Sequence, residues 1–398
     1  MRGCWRERNA LVSGLALALV LAAAAAAAAA ATAKPAAPAV PASGAGDIVL
    51  GVIVERSGAG ATYGLGLIQG AEMAVRDINA AGGIQGRRIR LQVADGGSQP
   101  ARSAIAMRRL VAANVDVIVG GWGSPQVRAH LDIAEQSATP YLVVGATHPL
   151  ITSPRNHWTF RVIQTDAVMA EQLAKVIVDQ VGLRRIAVIN DSNDYGVGNR
   201  EVFVAALQRA GLAPVAVQSY ETSDTDFRTQ LGRIKAANPD ALAVFGTLPA
   251  APVLLDQARA LGLAVRFFGS GGLANEALID AAPQAAEGTI LMTHFSEEVD
   301  AESRAWAERY RREFAGGPQP PRPVLAAWEY RAIRGIVAPC LQRVGSDRTR
   351  LRDCIRQWRG RLFGVADEAY FDASGQLVQP PVVVEVRGGA FRLHRHAR

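Results

Sequence analysis

Three short glycine-containing segments carry side chains able to hold a small polar ligand. Gly120-Gly121-Trp122-Gly123-Ser124-Pro125 follows the apolar β-branched run Val115–Val119. A strand, a glycine-rich loop, a serine and then a proline at the first helical position form a helix-start signature. Ser124 is therefore expected to cap a helix whose free N–H groups suit a carboxylate; the simpler alternative is that it only caps its own helix. Gly145-Ala146-Thr147 follows Tyr141–Val144 and belongs at the same carboxyl edge of a sheet, where open α/β sheets bind ligands. Asn190-Asp191-Ser192-Asn193-Asp194-Tyr195-Gly196 follows Ile186–Ile189. Its Tyr195 offers a flat apolar face and a hydroxyl, fitting a guest with one polar and one apolar end. A fourth loop, Ser57–Gly66, carries Tyr63.

These loops need strands and helices to hold them. Candidate strands are Ile48–Val54, Ile89–Ala94, Val115–Val119, Tyr141–Val144, Ile186–Ile189, Val215–Ser219, Ala241–Phe245 and Val265–Gly269, with helical runs such as Val168–Val181 and Ala250–Leu261 between them. Alternation of this kind predicts parallel sheets covered on both faces. In Tyr63–Asp95, Ala71, Ala74, Val75 and Ile78 repeat at helical spacing, Gly82 and Gly83 stop the helix, and Arg88–Ala94 alternates as a strand. About 365 residues beyond the leader exceed one ordinary core, so two lobes are expected.

The run GAE-x-AV-x-DIN-x-x-GGI-x-G-R-x-I beginning at Gly70 resembles the opening of type I periplasmic solute-binding proteins, specifically the branched-chain amino-acid (leucine/isoleucine/valine) binding family. The resemblance spans roughly Asp47 to Gly375 and implies a Venus-flytrap fold: two doubly wound parallel-sheet lobes joined by three crossovers. These would fall near Gln164–Asp166, Thr293–Phe295 and Ala373–Gln379. Lobe 1 is expected over 47–165 plus 294–374, and lobe 2 over 166–293 plus 375–398. By the same resemblance, Ser124 and Thr147 touch a ligand carboxylate, Gly145 and Ala146 sit beside it, Tyr195 closes over the ligand in a D-x-x-x-YG signature, and Tyr63 lines its side chain. Trp122 would stack on the guest or serve the fold alone. Glu55-Arg56 replaces the usual Pro-Leu before Ser57-Gly58.

Two positions depart from the pattern. The family's ammonium-binding Glu falls at Gly271, and a supporting Tyr falls at Thr247. A buried ammonium without a carboxylate costs several kcal/mol, so Asn275, Glu276 or Asp191 would have to substitute, or the ligand is a carboxylate without an ammonium. The glycine also widens the cleft. The resemblance implies the solute-binding subunit of an ATP-driven importer that docks on a membrane permease, works as a monomer and needs no cofactor or metal. The alternative is a periplasmic ligand sensor. Neither a transmembrane segment nor a signalling domain follows the lobes. No GxSxG, P-loop or GxGxxG follows a strand, and Gly64-Leu65-Gly66 lacks the third glycine, so an enzyme is not expected.

Arg2, Arg6 and Arg8 precede the uncharged Ala10–Ala31, and Ala31-Thr32-Ala33 is a small-x-small cleavage pattern. Residues 1–33 read as a signal peptide and 34–46 as an Ala/Pro-rich tail, which makes the protein periplasmic; the alternative for the apolar run is a membrane anchor. Cleavage lowers the formal charge from +7 to +5. Arginines are scattered and no nucleic-acid motif appears, so nucleic acid is excluded as a partner. With Cys4 in the leader, Cys340 and Cys354 are expected to pair as a disulfide stapling two helical runs. The six histidines lack metal-ligand spacing, and His394 and His396 are expected in solvent.

Overall fold

The computed structural model describes residues 46–394 apart from Pro249, Pro318 and Ala366. The expected signal peptide and Cys4, the tail up to Ala45, and His396 lie outside the described residues.

The first sheet has the order β2-β1-β3-β4-β5, all parallel. Its strands are β1 (Ile48–Val54), β2 (Ile89–Asp95), β3 (Val117–Gly120), β4 (Tyr141–Val143) and β5 (Thr159–Arg161). The second contains β6 (Ile186–Asp191), β7 (Ala216–Tyr220), β8 (Ala241–Phe245), β9 (Arg266–Gly269) and β10 (Ile290–Thr293). Two late strands, β14 (Val382–Arg387) and β15 (Ala390–Leu393), extend it to the order β15-β14-β10-β9-β8-β6-β7. Strands β6 to β10 run parallel, whereas β14 and β15 join antiparallel. The parallel strands are buried runs of Val, Ile, Leu and Ala, as sheets covered on both faces require. A third, small antiparallel sheet joins β11 (Arg359–Arg361), β12 (Glu368–Phe371) and β13 (Leu377–Val378).

The chain leaves the first sheet for the second after β5, runs through helices and the small sheet after β10, and rejoins the second sheet at β14. This is the doubly wound two-lobed class expected, with an antiparallel pair added at one edge. The last strand of the small sheet extends past residue 374, and the second sheet resumes at Val382.

One element begins earlier than expected. The helix after β1 covers Ala61–Ala80, so Tyr63 stands in its first turn and not in a loop. Glycines within this helix serve packing. A Cβ on Gly64 would lie 1.9 Å from the Glu55 carbonyl oxygen, and one on Gly70 would lie 2.1 Å from that of Ala326. Backbones meet there because no side chain intervenes. Ala71, Ala74, Val75 and Ile78 are buried on this helix as their spacing requires. The Pro323–Arg331 helix packs against it.

Cys340 and Cys354 are bonded, with their Cα atoms 5.7 Å apart, and join the helices Ala338–Val344 and Arg348–Arg356. His394 departs from expectation: it is buried, with Nδ1 3.4 Å from a Glu385 carboxylate oxygen, because β15 carries it back over β14. Among the described residues no helix is long and apolar enough to cross a membrane, and no cluster of His, Cys, Asp and Glu could hold a metal ion.

Candidate functional site

The carboxyl ends of the two large sheets face a shared cleft enclosing about 110 Å³. That is room for several waters or one small organic molecule. Tyr63, Trp122, Ser124, Gly145, Thr147, Tyr195, Thr247 and Gly271 all line it. Ala146 does not. Its methyl packs into the core with Ile53, Val143 and Ile151, since the residue between Gly145 and Thr147 faces the opposite way.

The wall from the first sheet is aromatic. Tyr63 and Trp122 stack with ring centroids 3.9 Å apart and 19° between planes, and Trp122 in turn stacks on Trp328 at 5.9 Å and 20°. Trp122 is thus both structural and lining, being 7% exposed. Ser124 does not cap a helix. Gly123 holds the N-cap position with φ +81°, which places Ser124 inside the first turn of a helix of only five residues. Its hydroxyl accepts from the His148 N–H at 3.3 Å instead. This fastens the Ser124 loop to the Thr147 loop. Thr147 is buried, and its hydroxyl lies beside the buried Asp166 carboxylate, whose charged form it favours by hydrogen bonding.

The second sheet's wall is already satisfied at its phenol. Tyr195 Oη pairs with Ser270 Oγ at 2.6 Å and accepts from the Gly272 N–H at 3.0 Å. Tyr63 reaches over from the first wall, donating to the Gly272 carbonyl at 2.8 Å and accepting from the Leu248 N–H at 2.6 Å. These bonds hold the walls together. At the rim, Arg128 and Asp194 pair at 2.6 Å, both over 40% exposed, and such a surface pair contributes little.

Several lining residues carried no sequence signal. Glu55 is buried at the end of β1 and accepts from the Ser98 N–H. Burial pushes its carboxyl up to about 7. His294 enters from the crossing after β10, and Trp328 from a helix far along the chain. The proposed substitutes for an ammonium acceptor do not line the cleft. Asp191 accepts from Thr222 at 2.7 Å, Asn275 caps its own helix through the Ala277 N–H, and Glu276 accepts from the Val324 N–H. Glu55 is the one acidic side chain among the lining residues.

Residues 47–390 match the family model described as periplasmic binding protein. An amino acid binding protein of Pseudomonas aeruginosa is 28% identical over 295 residues, 73% of this chain and 78% of that one. The Leu/Ile/Val-binding protein of Escherichia coli K12 is 30% identical over 245 residues, 62% of this chain and 67% of the relative. Among solved structures, the branched-chain amino acid transporter substrate binding protein LivJ of Streptococcus pneumoniae, in complex with isoleucine, superposes with a TM-score of 0.79 at 25% identity, covering 87% of this chain and 97% of that one. A solute binding protein from R. palustris in complex with benzoate gives 0.78 at 21% identity over 87% and 95% of the two chains, a likeness of fold alone.

Proposed function

The chain belongs to the periplasmic binding protein family, in its type I branched-chain amino-acid branch, and on that premise we propose that it captures a small carboxylate between two closing lobes and hands it to the permease of an ABC importer. The observation that carries this reading is the pair of hydroxyls, Ser124 and Thr147, brought to one edge of the cleft at the carboxyl ends of β3 and β4. A carboxylate there would be held by hydroxyl and N–H donors from two loops that Ser124 ties together. A donor at a strand end, already in place, spends little on reorganisation when the anion arrives. Export by the leader at residues 1–33 puts this event in the periplasm. The protein binds and releases its guest without chemistry, as its family does.

Closure follows from differential affinity: the guest touches both walls only when the lobes are together, so it stabilises that state. The sequence-stretch roles of Ser124, Gly145, Thr147 and Tyr195 in this reading are tested by melting curves over a panel of amino acids, aromatic acids and short amides. A carboxylate should raise the melting temperature, and its uncharged amide should raise it less. Thr147→Ala should weaken the carboxylate about tenfold or more, the expected loss for a charge-assisted hydrogen bond. If Thr147→Ala and Tyr195→Ala both leave affinity unchanged, the ligand lies elsewhere.

A further inference from the structure

One corner of the cleft, formed by Gly271, His294 and Trp328, is set up to receive a hydrogen. Gln164 Nε2 donates to the Gln379 and Pro380 carbonyls at 3.3 and 2.7 Å, so its Oε1 is left to accept. That oxygen is bonded to His294 Nδ1, which must therefore carry the ring proton. His294 Nε2 is left a bare lone pair, buried and without a partner. It points at Gly271, where a Cβ would stand 3.3 Å away. The Trp328 ring meets the imidazole edge-on at 5.0 Å and 69°.

The ring also stays neutral. Arg331 donates to the His294 carbonyl at 2.6 Å, and Arg161 lies near; burial first, and then these two cations, hold the imidazole well below its ordinary range. The same two guanidiniums make the corner a poor place for an ammonium group.

We infer that His294 Nε2 is a specificity-determining acceptor, and that the ligand is a flat aromatic acid bearing an uncharged donor, a ring hydroxyl or an amide N–H, and not a zwitterionic amino acid. The Tyr63–Trp122–Trp328 stack supplies the flat surface. This rests on the carboxylate reading of Thr147 and adds the second polar contact. An acceptor buried without a partner penalises a guest that lacks the donor more strongly than an apolar wall penalises an added group.

The test is calorimetric titration of the purified protein at pH 7.5 with benzoate, benzamide, the three monohydroxybenzoates and L-leucine. At least one hydroxybenzoate should bind more than tenfold tighter than benzoate, with leucine weaker than either. His294→Phe should erase the hydroxyl preference, whereas His294→Gln, which keeps an acceptor, should retain part of it. Gly271→Ala gives a second route: its methyl blocks Nε2 without touching the histidine, and it too should erase the preference. Leucine binding as tightly as the best acid, or equal losses for benzoate and hydroxybenzoate in both His294→Phe and Gly271→Ala, would overturn the inference. Benzamide matching benzoate, with the hydroxyl preference intact, would instead overturn the carboxylate reading alone. No binding by any acid would overturn both.

Discussion

The two walls of the cleft are built by the same device, loops at the carboxyl ends of parallel strands, yet they use their polar groups differently. On the first wall the Ser124 and Thr147 hydroxyls line the cleft, with Asp166 beside Thr147, and the Trp122 ring is stacked with Tyr63 and Trp328. On the second, the Tyr195 hydroxyl is already engaged by Ser270 and Gly272, and the nearby Gly272 carbonyl and Leu248 N–H are engaged by Tyr63 from across the cleft. Between the walls, at the crossing after β10, His294 has a free acceptor facing the space left by Gly271. The first wall brings two hydroxyls to the cleft. The second is largely occupied with the fold and with closure, and the corner between them accepts. A family's general capture chemistry and a single chain's selectivity can thus sit in different parts of one cleft.

The largest effect should come from breaking the rigid half. Trp122→Ala removes a ring that is only 7% exposed and stacked with Tyr63 and Trp328, and should cost about 3–5 kcal/mol in urea denaturation. A loss below about 1 kcal/mol would mean that the stack is not part of the core. The second effect tests the bond between walls. Tyr63→Phe leaves the Gly272 carbonyl and the Leu248 N–H buried without their partner, at a cost of about 1–3 kcal/mol. That cost falls on the closed state, so small-angle scattering without ligand should show a larger radius of gyration in the variant. An unchanged radius would show that Tyr63 does not hold the lobes together.

What the sequence made legible follows the same division. Strands β1 and β8 have the bounds expected of them, because each is a short apolar run ended by polar or glycine residues. The loops after β3, β4 and β6 were equally visible, since a strand and the residues following it are neighbours in sequence. β5 and the hairpin β14–β15 were not foreseen: a three-residue strand has too few positions to show a period, and an antiparallel pair added by a late return depends on tertiary pairing. His294 and Trp328 escaped for that reason too. One comes from a crossing and the other from a helix, and only packing brings them to the cleft. Tyr63 stands in a helix although glycines at 64, 66 and 70 disfavour one by propensity, because close contact with Glu55, Leu325 and Ala326 outweighs that preference. Ser124 was recognised as a helix-start serine, but the backbone at Gly123 enters the helix one residue earlier.

The smallest effect expected concerns the one acidic group lining the cleft. Burial raises the Glu55 carboxyl from 4.5 to about 7, partly countered by the Ser98 N–H that it accepts. The folded protein therefore holds this proton more tightly than the unfolded chain does. Between about pH 4.5 and 7 the folded state binds more protons, so Glu55 makes stability fall as pH rises through that window, with a plateau on either side. Glu276, raised to about 7, and Asp166, raised to about 6, slope the same way, so the informative quantity is the difference between the protein and Glu55→Gln. The amide keeps an acceptor for Ser98 but carries no charge, and at pH 8 it should be the more stable by on the order of 1 kcal/mol, about 2 °C in melting temperature for a chain this long. At pH 5 the two should melt together. The same ionisation places a negative charge beside the carboxylate that Thr147 is proposed to hold, so affinity for benzoate should weaken as pH rises through 7 in the protein and stay level in Glu55→Gln. Parallel melting profiles for the two proteins would mean that Glu55 is ionised throughout, and the first wall would then repel the anion it is proposed to receive.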